Sequence, residues 1–111
     1  MLDLSKEFAL LGFVEETDEE NNSYYVMDFP DGIFLTVTDD NGKMPERAKQ
    51  NLVLACFDND GLYLWGSELK TFMELQNLCK DNAAGSAALL DAIKNASKTL
   101  KDSDWATPSH P

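Results

Sequence analysis

The chain has 111 residues, 43% of them hydrophobic, with twenty carboxylates against nine basic side chains and a formal net charge of −11. That length suits one domain with one core, and the apolar content excludes a wholly disordered chain. The charge argues against nucleic acid and anionic membranes as partners, and favours cations or a basic surface.

The charge is unevenly placed. Residues 1–40 hold eleven acids and a single base, Lys6, for a net of −10, whereas residues 41–111 sum to −1. Acidic loops of this kind keep a small protein in solution, and the same carboxylates can form an electrostatic binding face. No run approaches the ~20 apolar residues of a membrane span. The start, Met1 to Glu7, lacks the basic and apolar regions of a secretory signal, so a cytoplasmic protein is expected.

In chain order, Leu2, Leu4, Phe8 and Leu11 recur near helical spacing and Gly12 supplies a stop, which predicts a short N-terminal helix. Phe13–Thr17 begins a strand, and the polar stretch Asp18–Asn22 is a loop. Ser23–Phe29 has the aromatic and β-branched content of a strand, with Tyr25, Met27 and Phe29 on one face. Pro30-Asp31-Gly32 predicts a tight type I hairpin turn. Ile33–Thr38 then alternates, with Ile33, Leu35 and Val37 inward and Phe34, Thr36 and Thr38 outward. Asp39–Gly42 turns again, and Lys43–Gln50 is a polar connection.

Leu52–Phe57 is apolar at every position, which predicts an interior strand covered on both sides. Asp58-Asn59-Asp60-Gly61 makes a hairpin into Leu62–Trp65. Gly66-Ser67-Glu68 should end that strand, with Ser67 capping a helix over 68–80 that buries Leu69, Phe72, Met73, Leu75 and Cys79. A last helix, capped by Ser86, carries the stripe Leu89, Ile93, Ala96 and Leu100. The tail 102–111 has no periodicity and should be flexible, so the single domain is placed at 1–101. The fold expected is α+β: an antiparallel meander of about five strands with one N-terminal and two C-terminal helices packed on it. Its core should include Phe8, Leu11, Leu35, Val37, Leu52, Leu54, Leu64, Phe72, Leu89 and Ile93.

Catalytic patterns are scarce. The one histidine, His110, sits in a proline-flanked tail where nothing would orient it as a base for Ser or Cys. Asp58–Gly61 evokes a calcium loop, but with Gly61 sixth, Cys56 and Ser67 fall where acidic ligands are required. Glu15, Glu16, Asp18, Glu19 and Glu20 do not preorganise six oxygens for a divalent cation. Asp28 beside Phe29, or Glu68 beside Trp65, are the carboxylates best placed for acid–base work, with no rigid cleft evident. No glycine-rich phosphate loop is present. Cys56 and Cys79 fit buried thiols better than a disulfide. No cofactor or metal is expected, and no enzyme.

The outward aromatics Tyr24, Phe34, Tyr63 and Trp65 suit a binding surface or a homodimer interface. Trp105 would latch the tail or touch a partner. With the acids Glu15, Glu16, Asp18, Glu19 and Glu20 they make up the expected site of an acidic inhibitor or regulator that captures a basic protein partner. A second function class rests on architecture alone. A helix, a three-strand meander, two more strands and a helical end loosely resemble the type III secretion chaperones, which are small, acidic and dimeric. The resemblance spans most of the chain, but the helix those proteins place between the third and fourth strands is missing or reduced to Pro45–Gln50.

Overall fold

The computed structural model describes residues 4–47 and 49–98. The elements are α1 (Leu4–Leu11), β1 (Val14–Thr17), β2 (Ser23–Asp28), a 3-10 turn (Pro30–Gly32), β3 (Phe34–Thr38), β4 (Leu52–Phe57), β5 (Tyr63–Leu69), α2 (Phe72–Asp81) and α3 (Ala87–Lys98). The strands form one sheet in the order β1-β2-β3-β4-β5, antiparallel throughout. This is the α+β meander that the alternation and turn residues predict. The expected tail 102–111, with Trp105 and His110, and Leu100 of the α3 stripe lie outside the described residues.

Strand alternation divides the sheet into two faces. Tyr25 and Met27 of β2, Leu35 and Val37 of β3, Leu52, Leu54 and Cys56 of β4 and Leu69 of β5 share one face. There they join Leu4 and Phe8 of α1, Phe72 and Leu75 of α2, and Leu89 and Ile93 of α3 in a single core cluster. Phe8 is fully buried at its centre, stacked on Tyr25 at 4.1 Å and packed edge-on to Phe13 at 5.5 Å and Phe72 at 5.0 Å. All three helices therefore cover the same face.

The chain reaches these elements through turns whose chemistry is explicit. Gly12, at φ +103°, ends α1 as the left-handed residue that such a stop requires, while the Phe13 N–H donates to the Phe8 carbonyl at 3.0 Å. Three loops share one construction. The carboxylates of Asp18, Asp39 and Asp58 each accept two backbone N–H groups, two and four residues on, at 2.8–2.9 Å. A left-handed residue follows three positions after each, namely Asn21, Gly42 and Gly61. Asp39 is buried, and its second oxygen accepts from the Gln50 amide at 3.1 Å, which closes the long β3–β4 connection.

Several expectations are corrected. The Pro30–Gly32 hairpin forms, but Asp31 and Gly32 are both left-handed, so the turn is not type I. β4 has a helix layer on one side only: Val53, Ala55 and Phe57 on the other face are half-buried against neighbouring strands. β5 runs on through Gly66-Ser67-Glu68, because Ser67 and Leu69 continue the inward register opposite Leu54 and Leu52. Ser67 is buried, its Oγ has no hydrogen-bond partner among the described residues, and Thr71 is the cap of α2 instead. Thr71 Oγ1 accepts from the Glu74 N–H at 3.4 Å, and the Glu74 carboxylate accepts from the Lys70 N–H at 3.0 Å. Met73 is exposed on α2, while Cys79 is half-buried. Ser86 caps α3 as expected, accepting from the Leu89 N–H at 3.1 Å. Of the expected core, Leu11 is only half-buried and Leu64 is 47% exposed. The connection between β3 and β4 contains no helix among the described residues.

Leu54 and Leu64 test this assignment. Replacing the fully buried Leu54 by Ala should cost about 2–5 kcal/mol in chemical denaturation. The same change at Leu64 should cost less than ~0.5 kcal/mol. Equal losses at the two positions would contradict the placement of β5.

Candidate functional site

The aromatic side chains on the helix-free face of the sheet are Tyr24, Phe34 and Phe57, all half-buried, and Tyr63, which is exposed. Register places Asp28, Phe34, Phe57 and Tyr63 in one row across four strands. Phe34 stacks on Phe57 at 5.2 Å, and Phe57 meets Tyr63 edge-on at 6.0 Å. The neighbouring row is small and, apart from the Thr36 hydroxyl, apolar: Val14, Val26, Thr36, Ala55 and Gly66. Beyond it lie Glu16 opposite Tyr24, and Thr38, Val53 and Glu68. The result is an apolar floor with an aromatic ridge and carboxylates at its margins.

No strand contains Lys or Arg, whereas Glu15, Glu16, Asp28 and Glu68 are all strand residues. The sheet thus presents negative charge with no compensating cation of its own. At its β5 end Leu62, Tyr63 and Leu64 are 64%, 53% and 47% exposed, which extends the aromatic row into an apolar corner.

The structure divides the residues expected at the site: the loop acids Asp18, Glu19 and Glu20 lie past the Thr17–Ser23 end of β1 and β2, whereas Phe34 and Tyr63 lie in the row at the opposite end of the strands. Tyr24, Phe34 and Tyr63 lie on the helix-free face. Trp65 does not: it pairs with Cys56 and packs, half-buried, against the core. The cause is a β-bulge, since Phe57 pairs with Tyr63 while Cys56 pairs with Trp65, leaving Leu64 as an extra residue. One inserted residue exchanges the faces of everything after it. Phe57, absent from the expected site, takes the central place in the aromatic row. Its alternation with Ala55 and Val53 was visible, but the apolar run gave no sign of which face was open.

Glu15, Glu16, Asp18, Glu19 and Glu20 are all exposed on the β1–β2 hairpin. Their roles differ. Asp18 serves its own loop, and the N–H groups of Asn22 and Glu20 hold its carboxyl below the ordinary carboxylate pKa. Tyr24 is raised above the ordinary phenol value, first by burial and then by the nearby carboxylates of Glu16 and Asp18, with Glu16 also hydrogen-bonded to it. Tyr63 is raised as well, chiefly by burial.

Neither thiol is activated. Cys56 and Cys79 are not joined in a disulfide. Burial pushes Cys56 up, partly countered by Lys94, and pushes Cys79 up to about 11. Among the described residues no group of three or more His, Cys, Asp or Glu side chains converges on a metal position. No helix among them is long and apolar enough to cross a membrane.

The lowered pKa of Asp18 has a pH consequence. A carboxyl depressed in the folded state stabilises the loop above its unfolded value and loses that contribution as pH falls through the depressed one. The Glu20 and Asn22 amide resonances should therefore shift together on acidification below about pH 4. In the Asp18→Asn variant the loop should persist without that titration, and in Asp18→Ala the two amides should exchange faster at every pH. Amide shifts in the native chain that ignore acidification would contradict this role.

Comparison with known proteins finds no match to this chain among family models, curated proteins or solved structures.

Proposed function

We propose that this protein is a non-enzymatic acidic binding domain, an inhibitor or regulator that captures a basic protein partner on the helix-free face of its sheet. One observation carries the reading: three helices crowd onto one face, while the other holds a stacked aromatic row bordered by carboxylates and free of strand cations. Aromatic side chains supply large contact area at low entropic cost and dominate binding energy at interfaces. The hairpin acids add attraction that speeds encounter and rejects acidic competitors. The chaperone alternative depends on a dimer helix between the third and fourth strands, and the described residues of that connection contain none.

The two parts of the surface have separable kinetic roles. The quadruple variant Glu15→Gln, Glu16→Gln, Glu19→Gln, Glu20→Gln should slow association several-fold at low salt and change little at high salt, where exposed charges are screened within about 10 Å or less. The variant Phe34→Ser, Tyr63→Ser should instead speed dissociation. The test is affinity capture from cells that make the protein, followed by surface-binding kinetics with the captured species. A basic protein retained by the native chain and lost with the aromatic variant supports the reading. An unchanged association rate in the quadruple variant at low salt would reduce the hairpin acids to a solubility device.

A further inference from the structure

A cleft of about 280 Å³ opens where β1 and β2 meet the turn between α2 and α3. Its floor is the cross-strand pair Val14 and Val26, and its walls include Gly12, Ala84 and Gly85. Glu16 and Asp28 belong to the lining, and among the described residues no basic one does. The far wall is held in place by contacts of its own: the Gly85 N–H donates to Met27 Sδ at 3.2 Å. A Cβ at Gly12 would come within 2.9 Å of the Ala84 Cβ. This is a concavity formed by two paired strands and a braced turn.

We propose that this cleft is the receptor for one arginine side chain of the partner. The inference rests on the binding-domain reading and names the anchor that the same face would recognise. Val14, 59% exposed beside the buried Val26, offers an apolar bed of the kind on which the stem of a long basic side chain lies. Glu16 and Asp28 stand two residues to either side of that pair, with their Cα atoms about 14 Å apart from strand geometry. At that separation a single guanidinium pairs with one of the two carboxylates through its planar two-donor edge, a match that a compact ammonium lacks, while the other carboxylate adds longer-range attraction. Asp28 also opens the aromatic row through its pairing with Phe34, so an arginine held there lies at the end of the ridge that would seat the partner's apolar residues.

The probe is acetyl-arginine amide, titrated into the full ¹⁵N-labelled chain at low salt, with the neutral isostere acetyl-citrulline amide as control. Saturable shifts are expected at the amides of Gly12, Val14, Val26, Asp28 and Gly85 with arginine and not with citrulline. Asp28→Asn and Glu16→Gln should each weaken the arginine response about two- to fivefold, and the double variant by more. Both replacements are exposed and isosteric, and unchanged spectra elsewhere verify the fold. Equal shifts with citrulline, an unaltered response in the double variant, or no response at any accessible concentration would overturn the arginine receptor. Shifts confined to Phe34, Phe57 and Tyr63 would also overturn it, while leaving the aromatic face as a docking surface. Failure of the whole binding reading would show in the capture experiment, which does not depend on this probe.

Discussion

The packing around Phe8 fixes the sidedness on which everything else depends. Its ring lies flat on Tyr25 of β2 and edge-on to Phe72 of α2, so one side chain ties the N-terminal helix, the sheet and the first C-terminal helix together. Aromatic pairs of this kind contribute about 0.5–1.5 kcal/mol each beyond the area they bury. More important is the geometric consequence. Because α1 and α2 share a contact, they cannot lie on opposite faces of the sheet, and α3 joins them through Leu89 and Ile93. Alternation then sends Phe34, Phe57 and Tyr63 to the other side, where the packing of the core requires nothing of them. Phe57 sits there although its strand neighbour Cys56 is fully buried.

Much of this was legible in the residues, and the failures share a cause. The strands, the hairpin loops at Asp18, Asp39 and Asp58, and the Ser86 cap follow from local chemistry, and local chemistry is what a sequence displays. What it does not display is the partner of each face. The run Leu52–Phe57 is equally consistent with two covered faces or one. The misplacement of Trp65 is subtler. Leu62–Trp65 reads as simple alternation, which puts Tyr63 and Trp65 together, and only the bulge at Leu64 separates them. Ser67 failed as a cap for the complementary reason: it is a strand residue buried opposite Leu54, whereas Thr71 caps the Glu74 N–H and the Glu74 carboxylate reaches back to the N–H of Lys70, one residue before the cap, in a variant of the capping box.

The structure also redistributes the meaning of the negative charge. Three of the aspartates, Asp18, Asp39 and Asp58, each commit one oxygen to two backbone N–H groups of their own loop. They are fold determinants, present because a short acceptor is needed where a tight loop exposes unpaired donors. Among the described residues Glu15, Glu19 and Glu20 have no such occupation in the loop, and Glu16 is hydrogen-bonded to Tyr24 beside the helix-free face. The surplus of charge is therefore composite. Part of it shapes hairpins, and part of it lines a surface.

That lining bears on which occupants the helix-free face can accept. An apolar sheet face with two open edges invites pairing with copies of itself, and proteins guard against this with charges, short edge strands and bulges. All three devices occur here: β1 is four residues long and carries Glu15 and Glu16, β5 is bulged at Leu64, and Asp28 and Glu68 mark the face itself. Lysines would guard the edges equally well against self-pairing, yet none is found in the strands. Choosing carboxylates alone sets copy against copy by like charge, while a cationic surface meets the same groups as attraction. In the binding reading proposed above, the same arrangement that opposes self-pairing is the one that would select a basic partner.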